Sequence, residues 1–232
     1  MGMVTHELRN VLNCVFLKSE MLLKGASRSD EGRPTVAAIH AIQAYTVRMN
    51  RLVGDLIDVA SINAGRLALR PESSDAVALL TETTEAYVSA ALEKGITLET
   101  AIGKRALTAN FDRERVLQVL SNLITNALKF TERGGRVEIR GECDAGELRI
   151  SVRDSGAGIP TDMLESVFER FLQVSKSDRR GLGLGLYISR CIVESHGGRM
   201  WAESKLGEGS TFHFTLPGSV AAHPPGQASA AT

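Results

Sequence analysis

The sequence predicts an α+β chain: a helical hairpin that pairs into a dimeric four-helix bundle, followed by an α/β sandwich with helices on one face of its sheet. Three observations predict it. Ile42, Tyr45, Met49, Leu52, Leu56 and Val59 are separated by three or four residues throughout, an a/d seam that Val53, Ile57 and Ala60 widen. Alternating runs of strand length recur between residues 95 and 217, two of them joined by Asp144-Ala-Gly146 in the manner of a hairpin. Helical patterns lie between those runs. One of them carries Asn122 and Asn126 on one face and Val116, Leu117, Val119, Leu120, Leu123, Ile124 and Leu128 at spacings that bury the other.

Taken in order, residues 3 to about 25 read as one helix with Leu8, Leu12, Val15 and Leu22 along its seam and Ser19 as a polar interruption. The helical pattern starts almost at Met1, as in a piece cut from a longer chain. Gly25 to Gly32 is a turn by composition, and Pro34 suits the first turn of the second helix. Two helices this apolar on one side can be covered by a second hairpin or by the rest of the chain; the length of the seam favours the dimer. Arg66 to Arg70 alternates as a short strand ended by Pro71, and Asp75 caps a helix to about Lys94. Gly95 to Ile102 and Ala106 to Phe111 read as strands, and Asp112 caps the asparagine helix. Arg136 to Cys143 and Glu147 to Arg153 form the hairpin. A helix from near Gly183 to His196 and strands Arg199 to Ser204 and Ser210 to Leu216 complete the sandwich. Residues 1–64, 65–217 and 218–232 are the predicted hairpin, sandwich and disordered tail, the last rich in Ala, Pro, Gly and Ser.

Composition excludes several classes of function. The chain has 232 residues, enough for one or two domains with real cores. Its 27 Lys and Arg balance 27 Asp and Glu, so no overall basic field calls for nucleic acid. No run reaches the roughly 18 apolar residues that span a bilayer, and no charged n-region with an apolar h-region opens the chain. Cys14, Cys143 and Cys191 are odd in number and far apart, which suits a reducing cytoplasm rather than a disulfide framework or a zinc site.

Four stretches carry candidate chemistry. An amide oxygen of Asn122 or Asn126 can ligate a hard cation, and Lys129, on the same helix, can meet phosphates held by that cation. Without such a ligand the same residues are a polar helix face. Asp154-Ser-Gly-Ala-Gly-Ile159 follows a strand: the carboxylate can accept from an exocyclic amine while Gly156 and Gly158 let backbone approach a flat ring. The alternative is a glycine turn with Asp as its cap. Gly181-Leu182-Gly183-Leu184-Gly185 opens a helix whose first amides are free to bind phosphate. The polar stretch before it, Ser175 to Arg180, reads as a loop, which fits a lid over a nucleotide and not the strand that a dinucleotide fingerprint needs. No P-loop pattern exists in the chain, and Gly207 to Thr211 is a hairpin turn whose hydroxyls can reach phosphate. His6-Glu7 pairs an imidazole that is nucleophilic at neutral pH with a carboxylate that can hold the proton of one ring nitrogen; the alternative is an ordinary surface pair.

Together these stretches resemble a sensor histidine kinase of a two-component system, in its dimerisation domain and its GHKL, Bergerat-type ATP-binding domain, over about residues 3–217. His6 to Asn10 resembles the phosphoacceptor box, Asn122 to Thr131 the N box, Asp154 to Ile159 the D-x-G-x-G-I box, Phe168 to Phe171 the F box and Gly181 to Gly185 the second glycine box. Each box is modest by itself; five in this order are specific. The resemblance implies ATP and Mg²⁺ as cofactors. His6 would take the γ-phosphoryl group and pass it to an aspartate of a response regulator, with Glu7 as base. Asn126 would ligate Mg²⁺ with Asn122 assisting, Lys129 would meet the phosphates, and Asp154 would read the adenine amino group. Phe130, Gly156, Gly158, Ile159, Phe171, Leu182, Leu184 and Thr211 would line the ATP site, with Gly181, Gly183 and Gly185 as lid hinges and phosphate amides. Glu7 and Asn10 match the pattern for dephosphorylating the regulator. The family usually has Thr-Pro where Asn10-Val11 stand, so the helix should run straighter past His6. Two other readings remain: a nucleotide-binding regulator whose bundle docks a partner without chemistry, and an ATPase of the gyrase or chaperone type, which carries glutamate where Asn122 stands.

Overall fold

The computed structural model describes residues 12–13, 15–22, 33–102, 108–144, 146–172 and 182–217. The chain divides into two compact units, with the boundary between Leu67 and Ala68. The turn at 25–32, the loop at 175–180 and the tail at 218–232 lie outside the described residues.

The first unit is helical. α1 covers residues 15–22, with Leu12 and Asn13 also helical, and α2 spans Arg33–Asn63 with Pro34 in its first turn. Gln43 Nε2 donates to Glu20 Oε1 at 3.5 Å and Asn50 Nδ2 donates to Asn13 Oδ1 at 3.3 Å. These two bonds set α1 and α2 antiparallel. Leu12, Ser19, Ile39 and Thr46 are buried. Ser19, a polar interruption in the sequence pattern, sits inside because its hydroxyl donates to the Phe16 carbonyl at 2.6 Å. Thr46 does the same with the Ile42 carbonyl at 2.8 Å. The hairpin contact therefore uses a different stripe from the long sequence seam. Ile42, Tyr45, Met49 and Leu56 of that seam are exposed in the single chain, as are Val15 and Leu22 of α1.

The second unit is a mixed sheet with helices packed on it. Strand β1 (Glu72–Asp75) pairs antiparallel with β3 (Thr108–Phe111) in a small ladder of two strands. Among the described residues the main sheet has five strands: β2 (Thr97–Ile102), β4 (Arg136–Asp144), β5 (Glu147–Asp154), β6 (Met200–Lys205) and β7 (Gly209–Pro217). Their order is β2-β4-β5-β7-β6, with β2 parallel to β4 and every other neighbour antiparallel. Among the described residues three α-helices fill the unit: α3 (Ala76–Lys94), α4 (Arg113–Phe130) and α5 (Gly185–Ser195).

The caps follow the sequence. Asp75 accepts from the amides of Val77 and Ala78, and α3 ends at Gly95 with φ 66. Asp112 accepts from the Arg115 amide at the start of α4. One expectation is corrected: residues 66–70 form no strand, and β1 begins after Pro71 instead of ending before it. The reason is the partner. β3 takes Glu72 opposite Phe111, and the Asp112 carboxylate takes the Arg70 amide at 2.9 Å, which holds the preceding stretch outside the ladder.

Alternation decides the core. Leu148, Ile150 and Val152 of β5 are buried opposite Leu216, Phe214 and Phe212 of β7. Leu120, Leu123 and Ile124 of α4 and Ile188 and Ile192 of α5 are buried with them. Each such side chain contributes about 1.5–3 kcal/mol by leaving water. On the opposite sheet face Trp201 stacks on His213 at 5.0 Å, and the guanidinium groups of Arg149 and Arg199 each lie 5.0 Å from the Trp201 ring. Among the described residues no helix is long and apolar enough to cross a membrane.

Candidate functional site

The site forms where the C-terminal half of α4, the end of β5, the β6–β7 turn and the head of α5 come together. Asn122 is 5% exposed although it is an amide on a helix. Its Nδ2 donates to the Gly185 carbonyl at 3.2 Å and to Ser189 Oγ at 3.2 Å. A carbonyl can only accept, so Nδ2 is the donor to α5; Oδ1 lies beside it, 3.4 Å from the place a Cβ on Gly185 would take. Asn126 and Lys129 follow at helical spacing, both half-buried, with Lys129 Nζ 4.8 Å from the centre of the Phe130 ring. α5 begins at Gly185, and no side chain caps it at Leu184. The amides of its first turn are thus left without a side-chain cap.

Asp154 closes β5 and is 5% exposed. Its Oδ1 accepts the Gly156 amide at 2.8 Å. Burial pushes the carboxyl above its ordinary range, tempered by backbone hydrogen bonds from Gly156 and Ser210. Gly156 is needed because a Cβ there would lie 2.4 Å from the Phe130 carbonyl oxygen. The same absence of a side chain lets the loop after Asp154 press on the end of α4. Gly158, at φ 73, meets the Lys205 carbonyl in the same way, 2.2 Å from an added Cβ. Ile159 is buried, with its amide donated to Ser204 Oγ at 2.7 Å, and the Gly207 amide donates to Ala157 O at 2.7 Å. The loop is therefore stitched to the β6–β7 turn.

The F-box segment is bolted to α5. Arg170 lies 4.5 Å over the Tyr187 ring and donates to its hydroxyl, and Arg190 lies 5.4 Å from the Phe168 ring. Phe171 has φ 64 and donates its amide to the Gly183 carbonyl at 2.9 Å; its ring is 62% exposed. A Cβ on Gly183 would lie 2.5 Å from the Leu172 carbonyl oxygen, so that residue must be glycine for the two strands of chain to close on each other.

Comparison with known proteins agrees with this geometry. A family model described as histidine kinase-, DNA gyrase B-, and HSP90-like ATPase matches residues 111–220. The sensor protein DivL of Caulobacter vibrioides is 36% identical over 216 residues, 93% of this chain and 27% of DivL. The sensor histidine kinase WalK of Bacillus subtilis is 35% identical over 219 residues, 92% of this chain and 35% of WalK. The catalytic domain of the histidine kinase ThkA, solved without nucleotide, is 31% identical with a TM-score of 0.59, covering 64% of this chain and 96% of that one. The chain belongs to the sensor histidine kinase family. Full-length ShkA in complex with AMPPNP is also similar, at 31% identity and a TM-score of 0.79, covering 97% of this chain and 46% of that one. The chain thus spans about a quarter to a third of the two curated relatives.

The structure brings the N box, the D-x-G-x-G-I box and the second glycine box of this histidine kinase family member into one site. His6, Glu7, Asn10 and Gly181 lie outside the described residues. Leu182 is exposed and Leu184 buried. One position changes. Thr211 sits in β7 opposite Arg153, so its side chain is on the sheet face away from Asp154. The hydroxyl on the Asp154 side is Ser210, directly across from it and 3.0 Å from Ser204 Oγ. Sequence reading missed Ser189 and Ser204, and it placed Ser210 in the 207–211 turn without pairing it with Asp154. The period-2 parity of β7 could have found Ser210; nothing local marks Ser189, which touches Asn122 across 67 residues of chain.

Proposed function

We propose that the protein is an ATP-dependent histidine autokinase of a two-component system. It would bind Mg²⁺–ATP in the site on α4 and α5, phosphorylate His6, and pass the phosphoryl group to an aspartate of a response regulator in the cytoplasm. The observation that carries the reading is the bond from Asn122 to the Gly185 carbonyl, which joins the N box to the head of the glycine-box helix. Buried Asp154, tied through Gly156 to the end of α4, supplies a carboxylate for the adenine amino group. The likeness to ShkA, solved with AMPPNP, supports a nucleotide in this fold. The boundaries 1–64 and 65–217 for hairpin and ATP domain belong to the same reading.

In the reaction, a lone pair on the His6 imidazole attacks the γ-phosphorus, the bond from that phosphorus to the bridging oxygen breaks, and ADP leaves. Glu7 holds the proton of the other ring nitrogen. Among the described residues no group of three or more His, Cys, Asp or Glu could hold a metal. A Mg²⁺ here would be shared with the phosphates. Asn126, with Asn122 assisting, would hold it, and Mg²⁺ would neutralise charge on the triphosphate. Lys129, Gly181, Gly183 and Gly185 would complete the phosphate contacts, and Asn10 would orient water in dephosphorylating the regulator. A hydrolytic ATPase is disfavoured because Asn122 stands where such enzymes carry a glutamate, and an amide cannot act as the base for water.

The bundle would be a homodimer, since the apolar stripe of Ile42, Tyr45, Met49 and Leu56 is left exposed by the single chain. Incubation with γ-labelled ATP should give acid-labile, base-stable label on the chain, absent from His6→Gln. Full labelling of that variant would overturn the reading.

A further inference from the structure

We infer that Ser189 is a positioning residue for the nucleotide site, acting through the Asn122 amide. The inference rests on the ATP-binding reading above and deepens it. Ser189 is 0% exposed and one turn along α5 from Gly185. Asn122 has two amide hydrogens on one nitrogen, and the structure gives each an acceptor on α5: the Gly185 carbonyl and the Ser189 hydroxyl. Two acceptors one turn apart fix both the rotation of the amide plane and its direction. Both bonds tie the amide nitrogen to α5.

Two consequences follow for the site. The first turn of α5 has no side-chain cap, so the place of its amides is set by what holds Gly185, and Asn122 holds it. An added Cβ on Gly185 would sit at ordinary van der Waals distance, 3.4 Å, from the Asn122 side chain, so the two elements lie about one methyl group apart. The same two bonds keep Asn122 against α5 on the face of α4 that Asn126 and Lys129 share. Ser189 touches neither nucleotide nor metal; it holds Asn122 to the head of α5.

The test uses the 232-residue chain and AMPPNP with Mg²⁺, read by calorimetry, beside autophosphorylation kinetics. Ser189→Ala should weaken AMPPNP binding roughly 2- to 12-fold, the worth of one neutral hydrogen bond. The KM for ATP should rise by the same factor with kcat within about twofold, because nothing that touches the reacting atoms is removed. Asn122→Ala combined with Ser189→Ala should bind no more weakly than Asn122→Ala alone, since both remove one device. Asn122→Asp, which keeps the shape but cannot donate, should lose more than Ser189→Ala and reports on the same bond if the serine variant does not fold. Unchanged AMPPNP affinity in Ser189→Ala or Asn122→Asp, or additive losses in the double variant, would overturn the role of Ser189 while leaving the kinase reading intact. A wild-type chain that binds no AMPPNP would remove the kinase reading itself, and Ser189's role with it.

Discussion

His196 accepts the backbone N–H of Asp112 on Nε2 at 3.0 Å. Its Nδ1 lies 2.8 Å from the Ile192 carbonyl and carries the proton, because both of those partners have fixed roles. The residue that ends α5 therefore completes the start of α4, and the two helices that frame the site are joined at this end by a ring and at the other by Asn122. His196→Ala should leave the Asp112 amide without its partner and cost about 1–3 kcal/mol. Urea unfolding at pH 7 reads it; a midpoint shift below a tenth of a molar would show that water replaces the ring.

Asp154 sets stability against binding. Burial raises its carboxyl pKa in the folded chain. A raised folded value means the native state holds the proton over a pH range where the unfolded chain has lost it. Its stabilising contribution is present below the unfolded value near 3.8 and is lost as pH rises through the folded one. Asp154→Asn should therefore melt no lower than wild type at pH 7, and any advantage should vanish as pH falls toward the ordinary carboxylate range. Asp154→Ala should weaken ATP binding by about 1.5–3 kcal/mol, roughly 10- to 150-fold. Melting curves across pH and calorimetry separate the two effects, and equal affinity in Asp154→Ala removes the residue from the adenine site.

Gly156→Ala tests the joint between the asparagine helix and the aspartate loop. The added methyl would meet the Phe130 backbone carbonyl at 2.4 Å, where no flexible side chain can give way. Overpacking of this kind costs about 1–3 kcal/mol. The expected outcome is loss of thermal stability together with ATP affinity. Gly207→Ala is the comparison: its φ of 82 strains an alanine, but no atom lies within 4 Å of the new carbon. It should lose stability and keep affinity.

The exposed stripe on α2 predicts the oligomer. Tyr45→Glu with Leu56→Glu places two charges on the seam of the proposed bundle. Sedimentation velocity should show a dimer for the wild-type chain and a monomer for the double variant, with circular dichroism unchanged. A monomeric wild type at tens of micromolar would end the homodimer proposal.

Much of this molecule is local in origin and legible in the sequence. Asp75 and Asp112 are caps because a carboxylate at that place satisfies nearby amides, and the hairpin around Gly146 needs only alternation and a glycine turn. The five boxes lie in short runs, so their order alone pointed to the family. Tertiary structure decided what depends on partners far along the chain. β1 formed at Glu72–Asp75 because β3 pairs there, against the alternation of residues 66–70. Ser210 rather than Thr211 faces Asp154 because β7 pairs in one register with β5. Asn122 turned its nitrogen to α5 because Gly185 and Ser189 offer acceptors there. A hydrogen bond within one turn is dictated by neighbours the sequence prints side by side, whereas register and amide direction are chosen by atoms that only folding brings within about 3 Å.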